Sequence, residues 1–314
     1  FVGNSAFRNS GLASIEIPAS VGSVGIYAFY NCSSLKEATL VQGLEAIENN
    51  AFQNSGLESI AIPATVTTFG DSAFRDCSDL TEATLAEGLK VIGKYAFSNS
   101  GLESIAVPAS VTTFGLSAFN GCTSLTSATL EDGLKVIGEY AFSNSGLISI
   151  EIPTSVENFG SYAFYYCSSL ESATLADGLT VIGQSAFRNS GLTSIAIPAS
   201  VRAFENNAFR SCGNLKSATL PEGLIVIGKS AFRESGLESI EIPSTIETFG
   251  DYAFANCSSL NSATLADELN VIGTLAFHLS CLTSISISSS LVTVGSYAFY
   301  SSSSLMSACL TCRL

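Results

Sequence analysis

The sequence is poor in the residues from which metal centres and nucleic-acid grooves are assembled. It has one histidine, His278, and only 13 lysines and arginines against 27 aspartates and glutamates, a formal net charge of −14 over 314 residues. Zinc needs several nitrogen or sulfur ligands converging on one point. Phosphate-backbone binding needs a surplus of cations whose pairing releases counterions. The composition points away from both, so neither a metal, a cofactor nor nucleic acid is expected. Long hydrophobic runs are missing too. Apolar residues make up 46% of the chain, yet the runs are as short as Leu224-Ile225-Val226-Ile227, far below the roughly 18 residues of a membrane span. The first residues, Phe1 to Ser5, lack the charged and apolar regions of a secretory signal. The chain begins inside a repeat and reads as a segment excised from a longer protein. There is no Gly-x-Ser-x-Gly, no phosphate loop and no paired carboxylate at a position that breaks the periodicity.

What is present is a repeat. Aligned on Ala-Phe, the phenylalanines fall at 7, 29, 52, 74, 97, 119, 142, 164, 187, 209, 232, 254, 277 and 299, in alternating steps of 22 and 23. The period is therefore a 45-residue pair of unlike coils. One reads Asn-Ser-Gly-Leu-x-Ser-Ile-x-Ile-Pro (Asn9 to Pro18), the other Asn-Cys-Ser-Ser-Leu-x-x-Ala-Thr-Leu (Asn31 to Leu40). Leu12, Ile15 and Ile17, like Leu35, Ala38 and Leu40, alternate as a short strand does. Val21, Val24, Ala28, Phe29 and Cys32 follow a spacing that fits one or two turns of helix or 3₁₀ structure. The prolines at 18, 63, 108, 153, 198 and 243 end the strand of every other coil, where a missing N–H ends a ladder. Gly25, Gly70 and Gly93 are assigned to a tight bend within the return.

One such coil cannot bury its apolar face alone, but stacked neighbours can. The expected fold is an α/β solenoid of about fourteen 22/23-residue coils spanning residues 1–314, with parallel strands on one face and short helical or 3₁₀ returns on the other. The signature x-x-x-I-G-x-x-A-F-x-x-C-S-S-L-x-x-x-x-L, seen in Val91 to Ser100 and Phe74 to Leu85, resembles the BspA-like class of leucine-rich repeats, also called the Treponema pallidum type. The resemblance covers essentially the whole chain. It implies a horseshoe or arc, and membership of a large set of bacterial and protist proteins, many of them surface-exposed and associated with adhesion and host-protein binding.

Cys32, Cys77, Cys122, Cys167, Cys212 and Cys257 recur every 45 residues. Two strand spacings, about 9 to 10 Å, separate them in an array of this kind, beyond the roughly 7 Å Cα separation that a disulfide tolerates. The intervening coils carry serine at the same place (Ser55, Ser100, Ser145). The column is expected to be buried, free and apolar in role. Cys281, Cys309 and Cys312 stand outside it, where the repeat also loses its proline (Ser288), and form a local group of undetermined redox state. His278 falls in a variable, exposed column. Glu87, Asp132, Asp177, Glu222 and Asp267 recur too far apart for one calcium ion and read as a solvated acidic edge. Asn31-Cys32-Ser33 and Asn256-Cys257-Ser258 match the glycosylation sequon, with an inward cysteine inside each.

The outward positions of the strands hardly vary among the coils. One column is almost all serine, including Ser104, Ser127, Ser149, Ser172, Ser194 and Ser217. Its neighbour alternates threonine (Thr129, Thr174, Thr219) with alanine or glutamate. Serine is a weak strand former, so either crowding or binding selects it. These nine residues are the candidate binding face. The expectation is a non-enzymatic interaction or adhesion module that meets a protein or an extended, repetitive surface ligand. The alternatives are an accessory structural subunit docked in a larger complex, and an ice-binding protein. Self-association through the ends of the solenoid and an extracellular or cell-surface location, the latter from the resemblance, complete the expectation.

Overall fold

The computed structural model describes residues 1–287 and 290–310. Ser288 and Cys312 lie outside the described residues, as does the side chain of Cys309. The chain divides into two compact units, Phe1–Cys167 and Ser168–Leu314.

In the first unit each coil contributes a face strand: Ser14–Ile17, Glu37–Leu40, Ser59–Ile62, Glu82–Leu85, Ser104–Val107, Ser127–Leu130 and Ser149–Glu151. A second strand of two residues follows each one, from Ser23–Val24 to Asn158–Phe159, and these seven short strands form one continuous parallel sheet. The face strands alternate exposed and buried residues as their sequence alternates polar and apolar ones. The second unit repeats the design. Its face strands run from Ser172–Thr174 to Ser307–Leu310, and its two-residue strands from Val181–Ile182 to Thr293–Val294.

The expected helical or 3₁₀ returns are not there; among the described residues the returns are chains of turns. The backbone amides show why. Tyr27, Phe29 and Asn31 donate to the carbonyls of Asn49, Ala51 and Gln53 in the following coil, at 3.2, 2.7 and 2.9 Å. The amides between them, Ala28, Tyr30 and Cys32, close turns onto Gly25, Tyr27 and Phe29 at 3.1, 3.2 and 3.4 Å. Every second N–H thus leaves the coil sideways, whereas a helix keeps them all along its axis. The turns are kept separate by left-handed residues four apart, Tyr27 at φ 56° and Asn31 at φ 57°. Asparagine tolerates this region better than most residues. Its amides also form a side-chain ladder, Asn54 to Asn31 at 2.6 Å and Asn31 to Asn9 at 2.9 Å. The spacing of Val21, Val24, Ala28, Phe29 and Cys32 is thus a product of turns that happen to share the helical period.

The phenylalanines make the core. In the first unit Phe29, Phe52, Phe74, Phe97, Phe119, Phe142 and Phe164 are fully buried. Their rings lie near parallel, with centroids 5.0 to 5.5 Å apart. This offset stacking adds about 0.5–1.5 kcal/mol per pair beyond burial. In the second unit Phe187, Phe209, Phe232, Phe254, Phe277 and Phe299 repeat it. Gly70 is required by this close stacking rather than by a bend. A Cβ there would sit 2.3 Å from the Asn49 nitrogen in the preceding coil. Left-handed glycines stand instead in the turn after a face strand, as Gly88 does at φ +124°.

All six column cysteines are free and buried, but they are not merely apolar. Each thiol donates to a phenylalanine carbonyl 25 residues earlier, as Cys122 does to Phe97 at 3.0 Å. Each also meets the serine of the preceding coil, as Cys122 Sγ meets Ser100 Oγ at 3.3 Å. In the last coil Ser302 takes the same place, donating to Phe277 at 2.9 Å and meeting Ser280 at 3.1 Å. The column is therefore a site for a small donor, filled by –SH or –OH. Burial pushes the thiols of Cys77, Cys122, Cys167, Cys212 and Cys257 up to about 11, against the smaller opposing pull of the serine hydrogen bonds. Neutral, buried thiols of this kind are poor nucleophiles.

A candidate binding surface on the strand face

Within each unit, parallel pairing fixes the hydroxyl columns in register. Ser104 pairs with Ser127, and Ala106 with Thr129. In the second unit Ser194 pairs with Ser217, and Ala196 with Thr219. Ser149 closes the column in the first unit, and Ser172 and Thr174 open it in the second. All nine candidate residues are exposed. Among the described residues no protein hydrogen bond engages their hydroxyls. The face offers rows of free small donor-acceptor groups at about one strand spacing, 4.8 Å.

The strands are not evenly joined. A proline-type strand pairs with the following Ala-Thr-Leu strand over its full length: four residues for Ser59–Ile62 with Glu82–Leu85, four for Ser104–Val107 with Ser127–Leu130, and three for Ser194–Ala196 with Ser217–Thr219. The opposite joint is loose. Glu37–Leu40 meets Ser59–Ile62 at a single pair, Ser262–Leu265 meets Ser284–Ile287 at two, and Ser217–Thr219 belongs to a different sheet from Ser239–Ile242. Proline explains part of this. At the tight joint the residue after the second strand donates back, Glu131 to Val107 at 3.3 Å and Ala266 to Ile242 at 3.1 Å. At the loose joint the matching residue is Pro63, Pro108, Pro198 or Pro243, which has no N–H to give.

Two of the loose joints open a slot in the face. The inward-facing Ala128 and Leu130, and in the second unit Ala218 and Leu220, become half-exposed there, while Ala38, Leu40, Ala83, Leu85, Ala263 and Leu265 stay buried at theirs. One slot is a depression of about 220 Å³, lined by Ser217, Ala218, Thr219, Leu220, Ser239, Ile240 and Glu241. Sequence reasoning found the hydroxyl columns but missed the slots. The prolines were their signal.

The other residues singled out from sequence fall into quieter roles. His278 is half-buried rather than exposed; its Nδ1 lies 2.8 Å from the Tyr300 carbonyl, and its ring stacks on Tyr300. Glu87 accepts from the Ser110 amide at 3.1 Å, and Asp132 from the Thr154 hydroxyl at 3.2 Å. These are bonds between coils along an exposed acidic edge. Among the described residues no group of three potential metal ligands comes together, and no helix is long and apolar enough to cross a membrane. Cys281 is free and half-buried. The surface of the returns, by contrast, carries more than its drifting sequence suggests. Tyr140 stacks on Tyr162 at 4.5 Å, and Tyr165 stands edge-on to both and to Tyr166.

No match was found among the curated proteins. Among solved structures, the chain is similar to a leucine-rich repeat protein from Bacteroides ovatus, with a TM-score of 0.83, 26% identity, and coverage of 98% of this chain and 87% of that one. A leucine-rich cell surface protein from Faecalibacterium prausnitzii matches with a TM-score of 0.56 and 27% identity over 99% and 83% of the two chains. The pneumococcal vaccine antigen PcpA matches at 0.55 and 26% over 88% and 68%. The description of a BspA type leucine-rich repeat region fits residues 1–120, 90–216 and 182–306, in six copies. With the in-phase phenylalanine, cysteine and strand columns, this coverage places the chain in the BspA type of leucine-rich repeat proteins.

Proposed function

We propose that the chain is a non-enzymatic protein-interaction module of a surface or secreted protein, and that its strand face meets an extended partner. The observation that carries this reading is the set of hydroxyl columns, exposed, in register and, among the described residues, without hydrogen-bond partners in the protein at the nine candidate positions. The slots at the loose joints add half-exposed apolar floors between the rows, where the side chains of an extended segment would seat. The cell-surface and antigen descriptions of two similar proteins support a surface location. An accessory subunit docked in a larger complex would use the same face without needing exposure on a cell. Ice binding is less favoured, because Glu151 and Glu241 interrupt the threonine column.

The test is binding of the chain to an array of immobilised extracellular-matrix proteins, compared with the pair Ser127→Arg and Ser172→Arg. The expected result is binding to at least one of them, weakened about tenfold or more by the pair, because long charged groups block a close approach, with the thermal midpoint kept. Asn120→Arg on the returns is the control. Equal binding by both variants would remove the strand face from consideration.

A further inference from the structure

The surface of the returns in the second unit carries a row of cations that the strand face lacks. Arg188, Arg210 and Arg233 each follow a core phenylalanine, and the rings of Phe187, Phe209 and Phe232 repeat at 5.5 and 5.1 Å. The three guanidinium stems therefore leave the same surface at about that spacing. With Lys229, they make four of the 13 cations in a chain of net charge −14. One carboxylate, Glu234, sits inside the row. It lies 3.1 Å from Nε of Arg233 and 3.6 Å from Nε of Arg210, ion-pair contacts rather than hydrogen bonds, and it accepts from the Ser211 hydroxyl at 2.8 Å. Burial raises the Glu234 carboxyl, but the Ser211 hydrogen bond and the two arginine charges outweigh it and hold the group below the ordinary glutamate value. It is thus a fixed anion. Glu205 and Asp251 accept from the backbone amides of Gln184 and Thr274, at 2.8 and 2.9 Å, and pair with neither Arg210 nor Arg233.

The arrangement holds the arginines by their inner edges. Glu234 faces the Nε side of Arg210 and Arg233, and the Tyr252 ring lies under the Arg233 guanidinium at 5.6 Å. Among the described residues no hydrogen bond takes up the Nη groups of Arg210 or Arg233. Two guanidiniums, half-buried and oriented before any ligand arrives, present their outer forks together. A planar fork matches a carboxylate bidentately, and prior orientation lowers the entropy lost on binding.

We propose that Arg210 and Arg233 form a docking site for an acidic segment of a protein partner, whose aspartate or glutamate carboxylates engage their Nη forks. Charge complementarity selects the occupant, because this is a concentrated positive row on a strongly acidic chain. The inference rests on reading the chain as a protein-interaction module, but it uses a different surface from the strand face. The two surfaces would grip one partner at two places, or two partners.

The experiment uses the whole chain and a fluorescein-labelled dodecapeptide of alternating glutamate and serine, followed by fluorescence anisotropy. The expected result is binding that weakens as salt rises from low to physiological strength. Arg210→Glu with Arg233→Glu should weaken it about tenfold or more, and Arg210→Lys with Arg233→Lys, which keep the charge and lose the fork, should give a smaller but measurable loss. Lys90→Glu with Lys135→Glu in the first unit makes the same change in net charge without altering the arginines and should leave binding within about twofold. If the glutamate pair fails to fold, the lysine pair carries the test. Equal loss in that control, or no binding beyond that of a glycine-serine peptide, would overturn the proposal. So would tighter binding of a sulfated oligosaccharide than of the peptide with the same arginine dependence, which would assign the site to a glycan. The Ser127→Arg and Ser172→Arg pair should keep peptide binding, so the strand-face reading and this one fail separately.

Discussion

The strands and the returns are hung on the same phenylalanine columns, yet their outer surfaces obey opposite rules. The strand surface is nearly uniform: serine at one position, threonine, alanine or glutamate at the next, with hydroxyls that, among the nine candidate residues, bond to nothing in the protein. The return surface drifts from coil to coil, and its side chains are engaged with one another. Tyr140, Tyr162, Tyr165 and Tyr166 pack together, Arg8 lies over Tyr27 and Tyr30, and Arg75 over Tyr95. Variation within one chain therefore does not separate functional from idle surface. A uniform row suits a partner met in the same way at every coil. A drifting row suits local anchors, the aromatic and arginine groups that dominate many interfaces.

The comparison can be broken from inside, through the core that both surfaces share. Phe119→Ala in the first unit should cost about 3–5 kcal/mol, the range for a large buried aromatic. In hydrogen exchange it should loosen the strand and the return of its coil together. Loss of protection in the return alone would mean that the two surfaces are energetically separate.

A smaller effect comes from the thiol column and depends on pH. The folded thiols of Cys77, Cys122, Cys167, Cys212 and Cys257 are raised to about 11 from an ordinary value of 9.0. The unfolded chain therefore deprotonates first. The stability these thiols contribute is complete below about pH 9 and falls as the pH rises towards 11, by on the order of 2–3 kcal/mol per thiol. Denaturant titrations at pH 8 and pH 10.5 should show this fall, and a variant with serine at all six column positions should lack it. Cys122→Ser at pH 7 should fold, as Ser302 does in the last coil, with a loss of about 1 kcal/mol. A pH-independent midpoint would show that the column is open to water.

The surfaces themselves separate at the bottom of the scale. Tyr162→Ala should cost about 1–2 kcal/mol, through the lost ring pairs with Tyr140 and Tyr165 and the lost burial. Ser127→Arg should change stability by no more than about 0.5 kcal/mol, because its side chain points outward and bonds to nothing. A loss of 2 kcal/mol or more from Ser127→Arg, read by thermal melting, would instead mean that crowding selects the serines. Tyr165, which drift in the sequence marks as freely variable, belongs with Tyr162 in this ranking, and Asn120 is the better neutral control.

Much of the architecture was legible before any coordinates. The steps of 22 and 23 fixed the coil, the alternation at Ile15 and Ile17 fixed which side of the strand is buried, and the cysteine spacing ruled out bridges within the column. The helical reading of the returns failed because periodicity records only which residues face the core. Phe29 and Cys32 face it equally well from a helix or from separated turns, and the sideways amide bonds to Ala51 and Gln53 that decide between them leave no apolar pattern. The slots were half legible. Proline at 63, 108 and 198 announces a missing donor, but which neighbour loses the bond depends on which strand lies on which side.

The sequence by itself thus determined the repeat, the buried columns and the outward hydroxyl rows, because those follow from side-chain polarity at fixed intervals along the chain. Only the tertiary structure decided the rest: that alternate amides in the returns bond to the next coil, that a thiol spans from Cys122 to Phe97 across 25 residues, that alternate strand joints are loosely paired, and that Glu234 sets two arginines side by side. Each of these is a relation between coils, and its energy depends on distances and angles across the stack that residue order does not encode locally.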